Sequence, residues 1–259
     1  MESAIDLKKN RLFIILCGIF ITNALLAEMI GVKIFSLEKS LGLNPANLNI
    51  LGFTMDFNLT AGVMIWPMVF ITTDLINEYF GKPGVKRISY LTAGLIAYVF
   101  VVVFLTMSLS PAEFWHYTKD AEGNVVNMDV AFNKIFGQGQ RIIIGSLTAF
   151  ILGQLIDVFA FQKIKKITGN KYLWLRSTGS TLISQFIDSF VVLFIAFSGV
   201  FTNSQIVAIG ITNYIYKFLI AIALTPIIYL GHSIIDRYLG KHEAEKISAE
   251  ATEKSKGFF

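Results

Sequence analysis

Six stretches of the chain, roughly 11–34, 57–80, 87–110, 141–163, 177–200 and 206–230, run for twenty or more residues with little charge. A helix needs about 20 apolar residues to cross the roughly 30 Å hydrocarbon core of a bilayer, so the blocks translate directly into a helix count. Hydrophobic residues make up 54% of the 259 positions and charged residues only 15%, with a mean hydropathy of +0.62. A soluble domain of this length would need more charge to coat its surface. The reading is an all-α integral membrane protein, a bundle of six transmembrane helices over residues 1–238. A charged cytoplasmic tail, 239–259, follows and is expected to be mobile. The first block comes after Lys8, Lys9 and Arg11, as in a signal peptide. Its apolar run exceeds a short signal core and no small-x-small cleavage site follows, so it is expected to remain as a helix.

The formal net charge of +4 does not point to nucleic acid, because basic residues gather in the cytoplasmic loops of membrane proteins. Sorting the loops by side puts sixteen Lys and Arg together: Lys8, Lys9, Arg11, then Lys82, Lys86, Arg87, then Lys163, Lys165, Lys166, Lys171, Arg176, and finally Arg237, Lys241, Lys246, Lys254, Lys256. The other side has five, Lys33, Lys39, Lys119, Lys134 and Arg141. The asymmetry predicts that both termini are cytoplasmic. The outer loops are then 35–56 and 111–140, and the aromatics of Pro111–Tyr117 suit the depth of lipid headgroups, on a short surface helix. The single cysteine, Cys17, cannot form an intrachain disulfide, and the three histidines are scattered. No metal, cofactor or nucleotide-binding glycine loop is expected, and no enzyme motif is present. A homodimer remains open.

Polar residues inside the apolar blocks cost about 2.5–3.5 kcal/mol each when charged, so they mark pairing or function. Asp74, Asn77 and Glu78 stand at i, i+3, i+4 on one helix face, Thr181, Gln185 and Asp188 at i, i+4, i+7 on another, and Asn213, Tyr216 and Lys217 repeat the first spacing. Asn23 and Glu28 sit in the first span. Lipid cannot hydrogen-bond these groups, so the spans must enclose a polar interior. Asp188 and Lys217 fall near mid-span, either as a site or as a structural ion pair, whereas Asp74, Glu78 and Asp157 lie roughly 7–15 Å nearer the cytoplasm. Glu78 is as well placed to pair with Lys82 at the interface as to act. The pattern Gln-[Leu/Phe]-Ile-Asp-x-Phe recurs at Gln154–Asp157 and Gln185–Asp188. An amide beside a carboxylate suits a guanine-type edge, and equally sugars, amino acids or protons. The 23 Phe offer faces for stacking a flat heterocycle.

The segment Thr73-Asp74-Leu75-Ile76-Asn77-Glu78-Tyr79-Phe80-Gly81-Lys82, continuing to Lys86 and Arg87, resembles the queuosine-precursor transporter family, earlier described as vitamin uptake transporters. The two Gln-x-x-Asp segments and the six-span layout are similar to that family too, so the resemblance covers nearly everything but the tail. It implies import of 7-deazaguanine precursors such as preQ0, preQ1 or queuine across the bacterial inner membrane, with no covalent chemistry. The residues expected to bind the small molecule are Gln154, Asp157, Gln185, Asp188, Asp74, Asn77, Asn213 and Lys217, with Glu28, Glu78 and Lys82 as gate or ion-pair candidates. Two mechanisms stay open. One is a secondary transporter working by alternating access around a midplane site. The other is a substrate-capturing subunit of the energy-coupling-factor kind, which needs a separate ATPase module.

Overall fold

The computed structural model describes residues 4–137, 140–169 and 171–255. In chain order, α1 (Ala4–Ile30) leads through β1 (Ile34–Ser36), α2 (Leu37–Ser40), β2 (Leu48–Ile50), β3 (Phe53–Met55), β4 (Asn58–Thr60) and a 3-10 turn at Ala61–Met64 into α3 (Trp66–Met107). Then come α4 (Glu113–His116), β5 (Tyr117–Lys119), β6 (Val125–Asn127) and α5 (Met128–Phe136). The chain finishes with α6 (Gln140–Thr168), α7 (Leu173–Phe197), α8 (Asn203–Ala223), α9 (Thr225–Leu239) and α10 (Lys241–Lys254). The strands form three antiparallel two-stranded pairs, β1 with β4, β2 with β3 and β5 with β6. They lie in the two loops read as outer and at their edges, β4 reaching into the start of the second block, and the body is helical.

Five helices among the described residues are long and apolar enough to cross a membrane: Ala4–Ile30, Trp66–Met107, Ile144–Thr168, Leu173–Phe197 and Asn203–Ala223. Six were expected; the difference lies in α3, whose 42 residues take in both the second and the third blocks. As a straight rod it would measure about 63 Å, twice a bilayer core. It is not straight, because Gly81 breaks it with φ 66 and ψ −173. Only glycine takes that conformation readily, and a Cβ there would lie 2.5 Å from the carbonyl oxygen of Ala251. Pro83 follows at once and has no N–H to give.

The helix boundaries also shift where backbone chemistry demands it. The second block was expected from residue 57, but β4 pairs with β1 there and the helix starts only at Trp66-Pro67, with proline in its first turn. The sixth block, 206–230, is divided: α8 ends at Ala223 and α9 begins at Thr225-Pro226.

Packing differs from that of a soluble protein in what the surface shows and in the polar groups that share the interior with an apolar core. α1 buries Leu12, Leu16, Phe20, Ala24 and Ala27 along one stripe and leaves Ile14, Ile15 and Leu26 exposed, as lipid permits. The interior also collects polar groups, among them Thr73, Asp74 and Asn77 of α3 and Ser177, Ser180 and Ser184 of α7. Gly145 and Gly153 of α6 let α7 approach closely: added Cβ atoms would meet the Val192 carbonyl at 3.2 Å and the Asp188 Cβ at 3.6 Å.

The stretch after Gly240, expected as a mobile tail, is the helix α10, with Ala244, Ile247, Ser248 and Ala251 buried and packed on α3. Apart from Ile247 its buried face is made of small residues, so composition alone resembles a free tail. In the 111–140 loop, the short surface helix expected near Pro111–Tyr117 is α4, which leaves Phe114 90% exposed. The side chain of Arg141 and the whole of Lys256, both counted in the charge asymmetry, lie outside the described residues.

Candidate functional site

The first arm of α3, together with α7, α8 and the start of α9, surrounds a small cavity of about 40 Å³. Trp66, Phe70 and Asp74 reach it from successive turns of α3, and Thr178, Thr181 and Gln185 from one stripe of α7. Tyr216 and Lys217 close it from α8. The Trp66 and Phe70 rings stack at 5.9 Å and 20°, giving the cavity a flat aromatic wall.

Its polar groups are unevenly satisfied. Ser177 donates its hydroxyl to Asp74 Oδ2, but Asp74 Oδ1 and Gln185 Oε1 have no hydrogen-bond partner, although the two residues are only 1% and 4% exposed. Buried acceptors left unmatched are costly, commonly about 1–3 kcal/mol each. Both belong to residues lining the same cavity, so the site calls for a ligand rich in N–H donors. Lys217 supplies the opposite chemistry: its ammonium donates to Asp188 Oδ2 at 2.6 Å and has further N–H groups to give. The pair is partly exposed, unlike Asp74.

Of the residues expected to bind the small molecule, Asp74, Gln185 and Lys217 line the cavity, with Thr181 and Tyr216 from the same polar stripes, and Asp188 is Lys217's partner. The others are placed elsewhere. Gln154 accepts from the Thr73 hydroxyl at 3.1 Å, Asp157 accepts from the Ser184 hydroxyl at 3.2 Å, and neither lines the cavity. Asn77 accepts from Gln162 Nε2 at 2.7 Å, in the buried α3–α6 contact. Asn213 is half-buried on α8, one turn before Lys217. Glu28 accepts from the Ser146 hydroxyl at 2.6 Å, and Asn23 donates back to the Ile19 carbonyl of its own helix.

Glu78 forms its salt bridges with Lys165 and Arg176, each at 3.1 Å, rather than with Lys82. The Ser248 hydroxyl of α10 also donates to it at 2.7 Å, and Lys165 donates to Ser248 Oγ at 2.9 Å. The backbone N–H of Lys82, released by the break at Gly81, is taken up by Ser255 Oγ at 3.0 Å. One buried cluster thus ties α3, α6, α7 and α10 together. Lys165 and Arg176 had been counted as loop cations. Their true setting was not signalled by charge, but the stripe Ser177, Ser180, Thr181, Ser184 directly after Arg176 does mark this stretch of α7 as inward-facing. No group of three or more His, Cys, Asp or Glu able to hold a metal occurs among the described residues.

Several helices long and apolar enough to cross a bilayer, packed as one bundle, define a multi-pass membrane protein. A family profile described as "Putative vitamin uptake transporter" matches residues 60–231, and the chain belongs to that family. The "Probable queuosine precursor transporter" of Bacillus subtilis (strain 168) is 30% identical over 193 residues, covering 73% of this chain and 80% of the relative. The "Queuosine precursor transporter" of Escherichia coli (strain K12) is 29% identical over 75% of this chain and 83% of its own length. A Haemophilus influenzae relative, also named "Probable queuosine precursor transporter", is 28% identical over 78% and 81%. These relatives are named as transporters, not enzymes. No solved structure matches the chain at comparable stringency.

Proposed function

We propose that this protein imports queuosine precursors, 7-deazaguanines such as preQ0, preQ1 or queuine, across the bacterial inner (plasma) membrane by alternating access. The observation that carries the reading is the pair of unpartnered acceptors, Asp74 Oδ1 and Gln185 Oε1, on residues lining one aromatic-walled cavity. A 7-deazaguanine edge presents a ring N–H, an exocyclic amine and a carbonyl. The two acceptors take the N–H groups, Lys217 donates to the carbonyl, and Trp66, Phe70 and Tyr216 hold the ring faces. Asp188 positions Lys217 rather than meeting the base itself. In this reading the two arms of α3 each cross the bilayer, giving six spans with both termini cytoplasmic, and the break at Gly81 marks the cytoplasmic turn.

A competition assay on purified protein tests it. PreQ0, preQ1 and queuine should displace one another. Adenine, which lacks both the carbonyl and the ring N–H of that edge, should not. Displacement by adenine as effective as by preQ0 would contradict the assignment. The energy-coupling-factor reading is separated by expressing the chain alone in cells lacking any such ATPase module, where a self-sufficient importer still supports uptake.

A further inference from the structure

Asp157 is buried to 2% exposure in the interior of the bundle, yet it does not line the cavity. The buried cations are engaged elsewhere, Lys165 and Arg176 with Glu78 and Lys217 with Asp188; none of these salt bridges goes to Asp157. One Asp157 oxygen accepts from the Ser184 hydroxyl at 3.2 Å; the other, Oδ2, has no partner. Ser180 and Thr181 stand with Ser184 beside the carboxyl, but hydroxyls bring no counter-charge, and a buried carboxylate without one is costly to keep ionised. A carboxylic acid has no such deficit.

The charged groups around it leave no alternative neutraliser. Asp74 faces it from α3, Asp188 of α7 is engaged with Lys217 of α8, and Glu28 of α1 is bonded to Ser146 of α6. Lys165 and Arg176 are both held by Glu78. Between Asp74 and Asp157 runs a face of α7 carrying Ser177, Ser180, Thr181 and Ser184 at i, i+3, i+4, i+7, all buried. Its two ends bond the two acids: Ser177 donates to Asp74 and Ser184 to Asp157. α6 and α7 run through this region without a break, so their backbone carbonyls are occupied within the helices. Sodium sites in transporters draw on unwound carbonyls, and none is offered here.

We propose that Asp157 is a proton-binding site, distinct from the substrate cavity, and that its proton crosses the membrane with the substrate. The inference rests on the importer reading above. When the ligand's N–H groups meet Asp74, that side chain must be the carboxylate. The proton resides on Asp157: it is taken up from outside as the ligand binds and released inside after the ligand leaves, so that the empty protein returns without it. Each transported molecule is accompanied by one proton.

The test uses the full chain in proteoliposomes, with labelled preQ0 as probe, no sodium present and the membrane potential clamped at zero. An inside-alkaline gradient of one pH unit should concentrate preQ0 about tenfold, the equilibrium for one proton per molecule, and a protonophore should abolish this. Asp157→Asn should keep preQ0 affinity within about threefold and retain preQ0–preQ0 exchange, but lose concentration by the gradient. Wild-type protein that binds preQ0 yet ignores the pH gradient, or responds only to sodium, overturns the proposal whether or not the variant folds. So does Asp157→Asn protein that still concentrates preQ0. Wild-type protein that does not bind preQ0 overturns the substrate reading, and this inference with it.

Discussion

Arg176 holds Glu78 in a two-point fork, its Nε and Nη2 each 3.1 Å from a separate carboxylate oxygen. Lys165 adds a second cation at 3.1 Å, and the three side chains are no more than 5% exposed. Removing one member of a buried pair leaves the other charged and unpaired, at a cost of roughly 3–5 kcal/mol. Glu78→Gln strands two cations and should lower the thermal stability of the detergent-purified protein severely. Arg176→Lys keeps the charge but loses the fork, and should fall between the two. A Glu78→Gln protein that melts with the wild type would show that the cluster contributes nothing to the fold.

The break in α3 depends on one residue. Gly81→Ala forces a side chain to φ 66, costing about 1–2 kcal/mol, and drives its Cβ against the Ala251 carbonyl. The expected outcome is undocking of α10, seen as rapid proteolysis at the α9–α10 junction around Gly240, while Gly42→Ala, where an added Cβ meets nothing within 4 Å, leaves that junction protected. Equal protection in both variants would mean that α10 is not held at the break.

The loop between α1 and α3 contains an acid-sensitive fastening. Glu38 is buried, which by itself raises a carboxyl, but the backbone N–H of Phe57 at 2.7 Å and the Ser36 hydroxyl at 3.1 Å donate to it, and these bonds hold it below its ordinary value of 4.5. A depressed carboxyl stabilises the fold fully above that ordinary value and loses its contribution as pH falls through the folded-state value. Protease access to the β2–β3 hairpin should therefore rise on acidification below about pH 4.5, and Glu38→Gln should show the raised access already at neutral pH. A pH-independent digestion pattern would contradict this.

Membrane orientation is open to direct labelling. In a Cys17→Ser background, a cysteine at Glu122 should react with an impermeant reagent applied from outside. One at Ala249, exposed on α10, should react only after the membrane is opened. The reverse pattern would invert the topology.

The spacing of Asp74, Gln185 and Lys217 was enough to bring them toward one interior, because polar positions on apolar helices have nowhere else to face. Which polar positions meet the cavity was not legible. The Gln-x-x-Asp segments of α6 and α7 look alike in sequence, yet Gln185 lines the cavity and Gln154 does not, since the rotation of each helix is set by its neighbours, here by Gly145 and Gly153 against α7. Lys165 and Arg176 read as loop cations because a charge asymmetry counts residues without regard to packing. Trp66 passed unnoticed because the strand pairing that delays the start of α3 involves residues thirty positions away. α10 resembled a free tail because Ala244, Ser248 and Ala251 carry no hydrophobic signal, although small side chains are what allow a helix to sit on the broken turn.

The most direct test is the affinity of preQ0 for wild-type and Asp74→Asn protein, measured by titration calorimetry at neutral pH. If Asp74 accepts an N–H of the base, the asparagine amide can place a donor against a donor, and the loss of about 1–3 kcal/mol weakens binding by one to two orders of magnitude. Asn77→Ala, one turn from Asp74 but not lining the cavity, should bind preQ0 as the wild type does if it remains folded. Asp74→Asn protein that folds and binds preQ0 with undiminished affinity would contradict the placement of the base in this cavity.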